Sequence, residues 1–395
     1  MVPRHIRPPR IGRARRAAEP NRTASRWSRS ALALSAFAVS TAALIGGAQE
    51  PAGTIVEPWI DTTNRDAVLV AWEVERSNDV PSMEWSGSYE ACDPGSASRD
   101  LALTTVGRVN FYRAMAGVPA TVRLSDEFSS MAQHAALSMS ASGRLSHTPD
   151  DSFSCLDEAA VQAAANSNLY LGRVGPAAID GYIEDPGDRN RDVGHRNTIL
   201  HPPTVEIGVG HVAGNDATHP ANALWVFDDR VFEDNPAVRE PGGFVAWPPR
   251  GYVPGELVHP RWSFGLAGAD FDGADVTMWV DGRPVEVDVV TRLSLEGYVP
   301  SPIIVWEPDP GDLPQLRGEG VDPDGEAAGP DLVVDVEVGG VVVDGAPADF
   351  AYRVILVGSD RPGNGLGPSL ALDAVRWTAG GAGRVLAAVA PLPTR

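Results

Sequence analysis

The chain has 395 residues, and its 32 basic side chains are all arginine; against 52 Asp and Glu they leave a formal charge of −20. The charge is uneven, because residues 1–30 hold nine Arg and one Glu (+8) and the remainder therefore carries −28, a body that repels phosphate backbones and excludes nucleic-acid binding. At 43% hydrophobic and 21% charged, the bulk has the composition of a folded globular chain, and its length suggests two domains.

An Arg-rich stretch ending at Arg29 precedes the apolar run Ala31–Ile45 and the small residues Gly46-Gly47-Ala48, the layout of a secretory signal. Residues 1–48 are read as a signal peptide or, if uncleaved, a membrane anchor. Ala31 to Ala48 is only just long enough to cross roughly 30 Å of hydrocarbon, and its small residues and Gly pair favour cleavage. Arg15-Arg16 lies too far from the run for a twin-arginine signal. The expected location is secreted or cell-surface, with membrane contact only through this segment. Two cysteines, Cys92 and Cys155, suit an exported chain with one bridge. That bridge would close a loop of about 60 residues and contribute on the order of 4 kcal/mol. Neither a CxxC zinc spacing nor a basic partner for a thiol nucleophile is visible.

Residues 49–97 read as a lead-in with one strand-like run, Ala67–Trp72. Ser98 caps a helix carrying Leu101, Thr105, Val109, Tyr112 and Met115, which Gly117 and Pro119 end. Ser125 opens a second, with Phe128, Met131, Ala132, Ala135 and Met139 on one face and Gly143 as its stop. Glu158–Asn166 is a short Ala-rich helix, and Pro176 opens another that carries Ile179, Tyr182 and Ile183. The period then changes to strands at Val205–Val212 and Ala223–Asp228, so residues 98–235 are expected to set helices on an antiparallel sheet. From Pro241 no helix signal remains. Strand candidates are Phe244–Trp247, Arg261–Phe264, Val276–Val280, Val285–Val290, Ile303–Trp306, Leu332–Val338 and Phe350–Val357, which argue for an immunoglobulin-like β-sandwich over 241–357. Glu307–Asp331 reads as a long exposed loop and 358–395 as a tail.

Three side chains stand out for chemistry. His147 follows the second helix, His195 sits in Val193-Gly194-His195-Arg196-Asn197-Thr198-Ile199-Leu200, and Glu184 ends the helix between them. If they meet, two imidazoles and a carboxylate suit either zinc with an open position or an acid/base pair. Other signals fail. Asp188-Arg-Asn190-Arg-Asp192 has its Gly one position late and Ile199 in place of the twelfth-position Glu of a calcium loop. Gly208-x-Gly210 sits within a strand, where no phosphate loop forms, and there is neither an HExxH nor a GxSxG motif. His134, beside Ala135 on a helix, reads as a packed residue.

The order of these fragments resembles the CAP superfamily, which groups cysteine-rich secretory, antigen 5 and pathogenesis-related 1 proteins with bacterial SCP-like extracellular domains. Carrying the likeness are Val109-Asn110-x-x-Arg113 with Gly117, the helix ending near His147, Ser167-Asn168-Leu169, Gly194-His195-Arg196, Ile207-Gly208-x-Gly210 and Leu224-Trp225-Val226, over about Ser98 to Asp229. The resemblance implies an α-β-α sandwich with a cleft of two His and two Glu, hence an α+β fold followed by an all-β sandwich. Within it His147 corresponds to the first histidine, His195 to the second and Glu184 to the second glutamate. Where the family has Gly-Glu-Asn this chain has Asn166-Ser167-Asn168, so Ser167 replaces the first glutamate. Gly181 stands where a Trp is common, and Asp188–Val193 is an insertion. The expected cleft is thus His147, Ser167, Asn168, Glu184 and His195. No cofactor is required by this set; zinc on His147, His195 and Glu184, with water as fourth ligand, is the candidate. The other readings are histidines that only hydrogen-bond their neighbours, and acid/base chemistry.

Ala246-Trp247-Pro248-Pro249, Gly251-Tyr252-Val253-Pro254 and Arg261-Trp262-Ser263-Phe264 resemble the sandwich module attached to some bacterial CAP proteins. Exposed rings there would stack on sugars, whereas buried ones, Trp247, Trp262 and Trp306, would fill the core. The expected role is binding an extracellular or envelope ligand, lipid or wall polymer, through the cleft. The alternatives are a metal-assisted hydrolase, in which Glu184 activates water on a metal held by His147 and His195, and an adhesive or spacing element. Whether the protein is an enzyme stays open.

Overall fold

Side-chain oxygens meet the unpaired amides at the start of four helices. Asn64, Ser98, Ser125 and Asp157 cap α1 (Arg65–Arg76), α2 (Arg99–Met115), α3 (Asp126–Ser142) and α4 (Glu158–Asn166). Pro176 opens α5 (Pro176–Glu184), and Gly143 ends α3 in the left-handed conformation that favours glycine. The computed structural model describes residues 59–227, 243–293, 301–313 and 330–358. The expectations for residues 1–48, most of the 307–331 loop and nearly all of the 358–395 tail lie outside the described residues.

One expectation is corrected in the lead-in. Ala67–Trp72 is not a strand but the middle of α1, because its buried positions, Val68, Trp72 and Glu75, recur at helical spacing behind the Asn64 cap. The strand-like run of apolar residues conceals this, since their alternate neighbours also reach the core edge. Other elements escape the sequence reading, among them one strand and one helix of the first half. The strand β2 (Ser167–Leu171) follows α4 with no breaker between them, and α6 (Gly194–Ile199) is too short to display a period.

With β1 (Arg123–Leu124), β3 (Glu206–Val212) and β4 (Ala221–Trp225), the first sheet runs in the order β1-β3-β4-β2, parallel between β1 and β3 and antiparallel elsewhere. Residues of α2 and α5 share a core with Ile207, Val209 and Leu224, whereas α3 and α4 share another with Leu169, Ala223 and Trp225. Alternating side chains thus feed two helical layers, the expected α-β-α sandwich. Gly208 and Gly210 set how closely α3 approaches: a Cβ at either would lie 2.3–2.4 Å from the backbone of Phe128 or Ala132. That close approach lets α3 side chains cover the edge of β3 beyond its short pairing with β1. Ser129 Oγ accepts from Val209 N, and Gln133 bonds both the amide and the carbonyl of His211.

The second half forms two facing sheets. One pairs β10 (Arg283–Val285), β9 (Asp275–Val280), β13 (Leu332–Val343), β14 (Ala346–Val357) and β6 (Gly251–Pro254), with β8 (Ala269–Asp270) beside β13. The other runs β11 (Val287–Leu293), β12 (Ile303–Pro308), β7 (Trp262–Gly265) and β5 (Val245–Trp247). Phe264 touches Phe350 and Tyr352 across the gap, and Trp306 Nε1 donates to Met278 Sδ. Trp247, Trp262 and Trp306 are fully buried, so these rings fill the core and offer no face to a sugar. The disulfide Cys92–Cys155 is formed and ties the segment before α2 to the α3–α4 connection.

The lead-in and both halves share one core. Trp72 packs on Phe111 and donates to Glu256, Tyr112 packs on Trp247, and Arg65 pairs with Asp331 at 3.0 Å. Glu75 of α1 meets Arg108 of α2 at 2.8 Å, and Arg108 also reaches Asp180 of α5. Arg113, fully buried, donates to the carbonyls of Pro119, Ile199, His201, Pro202 and Thr204 and so folds the turn between α6 and β3 around one guanidinium. Arg113→Met would leave these carbonyls without donors at about 1–3 kcal/mol each. The expected result is a loss of more than about 3 kcal/mol in urea unfolding, with the slope unchanged.

His211 sits in a closed polar chain inside the first sandwich. Its Nδ1 accepts from Asn222 Nδ2, its Nε2 faces Thr105 Oγ1, and Asn222 Oδ1 accepts from Tyr182. Burial holds its pKa down near 3. The folded state therefore binds fewer protons than the unfolded one below the ordinary histidine range. Stability is fully present above pH ~6.5 and falls by about 1.4 kcal/mol per pH unit towards pH 3. In urea titrations between pH 6 and 4.5, His211→Gln should show a shallower decline than wild type; equal slopes would contradict this burial.

Candidate functional site

The geometry around His195 begins at the end of α5. Asp185, in the left-handed conformation and 0% exposed, caps that helix and turns its carboxylate back to α6. One oxygen accepts from the His195 amide at 3.0 Å, and the other lies 2.7 Å from His195 Nδ1. A carboxylate at Nδ1 places the proton there, so the neutral ring presents its Nε2 lone pair. The imidazole, 21% exposed, lies 5.2 Å from the Tyr182 ring. Its neighbour Arg196 is fully buried and runs the opposite way, donating to the carbonyls of Ile183 and Glu184 and, across to the second half, to Arg261 O and Ser263 Oγ. Arg261 in turn donates to the carbonyls of Asp185, Gly187 and Asn190, holding the insertion ahead of His195.

Asn168 meets His195: its Nδ2 donates to the His195 carbonyl and to Thr198 Oγ1. His147, exposed after α3, is hydrogen-bonded through Nδ1 to the Ala164 carbonyl at 2.9 Å. Ala164 and Asn168 are four residues apart, so the two histidines are tied to points within ~14 Å along one chain segment. Ser167 shares the α3/α4 face with Leu169, opposite to Asn168, and its buried hydroxyl has no hydrogen-bond partner. The Glu184 carboxylate, 34% exposed, faces Arg173 at 3.8 Å. The acid that meets His195 is its neighbour, Asp185. Sequence reading passes over Asp185 because Asp-Pro-Gly looks like a plain turn; its position directly after a helix and before an insertion is the signal that was available.

Among the described residues no three His, Cys, Asp or Glu side chains are arranged to hold a metal ion. His147 and His195 both have Nδ1 engaged, by the Ala164 carbonyl and the Asp185 carboxylate, a hydrogen-bonding pattern that metal-ligating imidazoles share, while the Glu184 carboxylate faces Arg173. His134 is paired with Asp157 at 2.7 Å.

Beside His195 runs a row of polar and aromatic groups. The Tyr170 ring covers the place where a Gly181 Cβ would stand, 2.4 Å away. Tyr170 touches Tyr182, and Arg173 lies over Tyr170 at 5.7 Å. From the second half, His259 reaches the same neighbourhood. Burial, with the charges of Arg196 and Arg173, holds its pKa down near 3, and its Nε2 is buried without a hydrogen-bond partner.

Asp185→Ala should free the His195 ring to populate the Nε2–H tautomer, read directly by imidazole 15N chemical shifts. It should also cost about 2 kcal/mol or more, from the amides left unpaired. A ring still fixed as Nδ1–H in that variant would show that the aspartate does not orient it.

Comparison with known proteins accords with this architecture. Residues 106–228 match the family model of the cysteine-rich secretory protein family, CAP, a span running from α2 past β4. No curated protein matches the chain. Residues 106–228 are thus a CAP domain of the cysteine-rich secretory protein family, followed in the same chain by a β-sandwich.

Proposed function

We propose that this protein acts outside the cell membrane, secreted or held at the surface, and binds a hydroxyl-rich extracellular polymer of the wall type on the face formed by His195, Tyr170, Arg173 and Glu184. One observation carries the reading: the His195 imidazole is held at Nδ1 by Asp185 and lies against Tyr182, Tyr182 touches Tyr170, and Arg173 lies over Tyr170 and faces Glu184. A fixed imidazole acceptor, planar charged groups and a half-buried ring supply directional hydrogen bonds and a flat apolar surface, the combination that recognises sugar rings better than acyl chains. The Cys92–Cys155 bridge supports an oxidising location, and the chain's −20 charge argues against a nucleic-acid partner.

A second reading is favoured by the same dyad. With Nδ1 held by Asp185, His195 Nε2 is placed to take a proton from a substrate hydroxyl or water without a metal.

Co-sedimentation of the mature chain with insoluble wall polysaccharide and with lipid vesicles tests the proposal. Polymer should retain wild type, and His195→Ala or Arg173→Ala should weaken retention about tenfold, some 1.4 kcal/mol. Retention by vesicles alone would overturn the polymer reading in favour of a lipid ligand. Release of soluble fragments that needs His195 and ignores chelators would establish the second reading.

A further inference from the structure

On one side of the β10-β9-β13-β14 sheet, Met278, Val280, Val334, Val336 and Val354 are buried in the core of the sandwich. Side chains alternate along a strand, so the residues between these face away from that core. Trp279 is one of them. It is only part-buried, and among the described residues its ring belongs to none of the apolar cores and its indole nitrogen is not one of the polar atoms shut off from solvent. Trp247, Trp262 and Trp306 are fully buried, whereas Trp279 keeps an apolar face and an N–H donor at the surface, the pairing that favours interfaces. Strand register builds a row around it. Exposed Pro284 of β10 lies opposite Trp279, Trp279 opposite Asp335 of β13, and Asp335 opposite Arg353 of β14. Arg353 grips Asp335 with two bonds, Nε to one carboxylate oxygen at 2.7 Å and Nη2 to the other at 3.0 Å, which makes the pair a flat polar group beside the ring. An ion pair this open, 59% and 39% exposed, adds little to stability; what it offers is a fixed set of donors and acceptors. The next row along the strands is low, Thr277 and Ala351 with exposed Glu337 between them.

We propose that this outer face is a platform for an uncharged glycan chain lying across the strands. One sugar ring stacks its C–H face on the Trp279 indole, and a following ring gives its hydroxyls to the Asp335–Arg353 pair. With strands ~4.8 Å apart, Trp279 and Arg353 stand ~10 Å from each other, about the length of a disaccharide. Charge selects the occupant. Asp335 and Arg353 cancel, and on the strands and turns that form the row Asp275, Asp281, Glu286 and Glu337 stand against Arg283, so an anionic polymer or an acidic membrane surface is repelled. An acyl chain would cover the ion pair and take it from water without replacing its hydrogen bonds. A hydroxyl-rich neutral chain satisfies both the ring and the pair. The platform shares no residue with the His195 face and does not rest on the function proposed for it.

The test is native affinity electrophoresis of the mature chain in gels holding hydroxyethyl cellulose, galactomannan or xylan, with polygalacturonate as the anionic control. At least one neutral polymer should retard wild type, and polygalacturonate should not. Trp279→Ala should weaken that affinity about tenfold and Arg353→Ala about threefold, with the circular dichroism unchanged. The Arg353 side chain is mostly exposed, so its variant serves if Trp279→Ala misfolds. In the His195→Ala protein, replacing Trp279 should still remove the remaining retardation. Retardation lost with His195→Ala and kept with Trp279→Ala would assign glycan binding to the His195 face and overturn the platform, leaving the function proposed for that face intact. The platform also falls if no neutral polymer retards wild type, if polygalacturonate retards it as strongly as they do, or if both folded variants migrate like wild type.

Discussion

The arrangement around His195 depends on a reciprocal clasp between two chain segments about ten residues apart. The Asp185 side chain takes the His195 amide and ring, while the Arg196 side chain takes the carbonyls of Ile183 and Glu184. Each segment supplies one charged side chain to the other's backbone, and both charges are buried. Buried ions are tolerated only when such bonds are complete, so the clasp works as a unit and is lost as one. Its consequence is a single orientation for an imidazole that would otherwise turn freely at the surface.

That clasp extends beyond the CAP domain. Arg196 reaches Arg261 O and Ser263, and Arg261 answers by gathering the carbonyls of Asp185, Gly187 and Asn190 at and just ahead of the insertion. The sandwich is therefore structural support for the histidine face. Trp247, Trp262 and Trp306 are consumed in its own core, and its loop ahead of β7 brings His259 to the seam. The helix α1 closes the assembly from a third side, through Glu75 to α2 and through Arg65 and Trp72 to the second half.

Much of this was legible in the sequence where local chemistry decides. Ser98 and Ser125 announced their helices. The family likeness pointed to Asn110, Arg113 and Arg196 before any contact was known; their tasks prove to be backbone ligation, as when Asn110 bonds both polar groups of Val122. What stayed hidden depended on tertiary context. Only its place just after the helix sets Asp185 apart from Glu184 in the sequence; the choice of partner for His195 is made by the left-handed turn at Asp185, which reverses the side chain towards α6. The strand-like reading of Ala67–Trp72 failed for the same reason: a neighbouring core, and not the run itself, selects which faces are buried.

The central claim is that the sandwich orders the histidine face through Arg261. Amide hydrogen exchange across residues 183–204, compared between wild type and Arg261→Gln, measures it most directly. Exchange should accelerate at the His195 and Arg196 amides and through the insertion, while the 201–204 turn held by Arg113 stays protected. Equal protection of both segments in the two proteins would contradict the account.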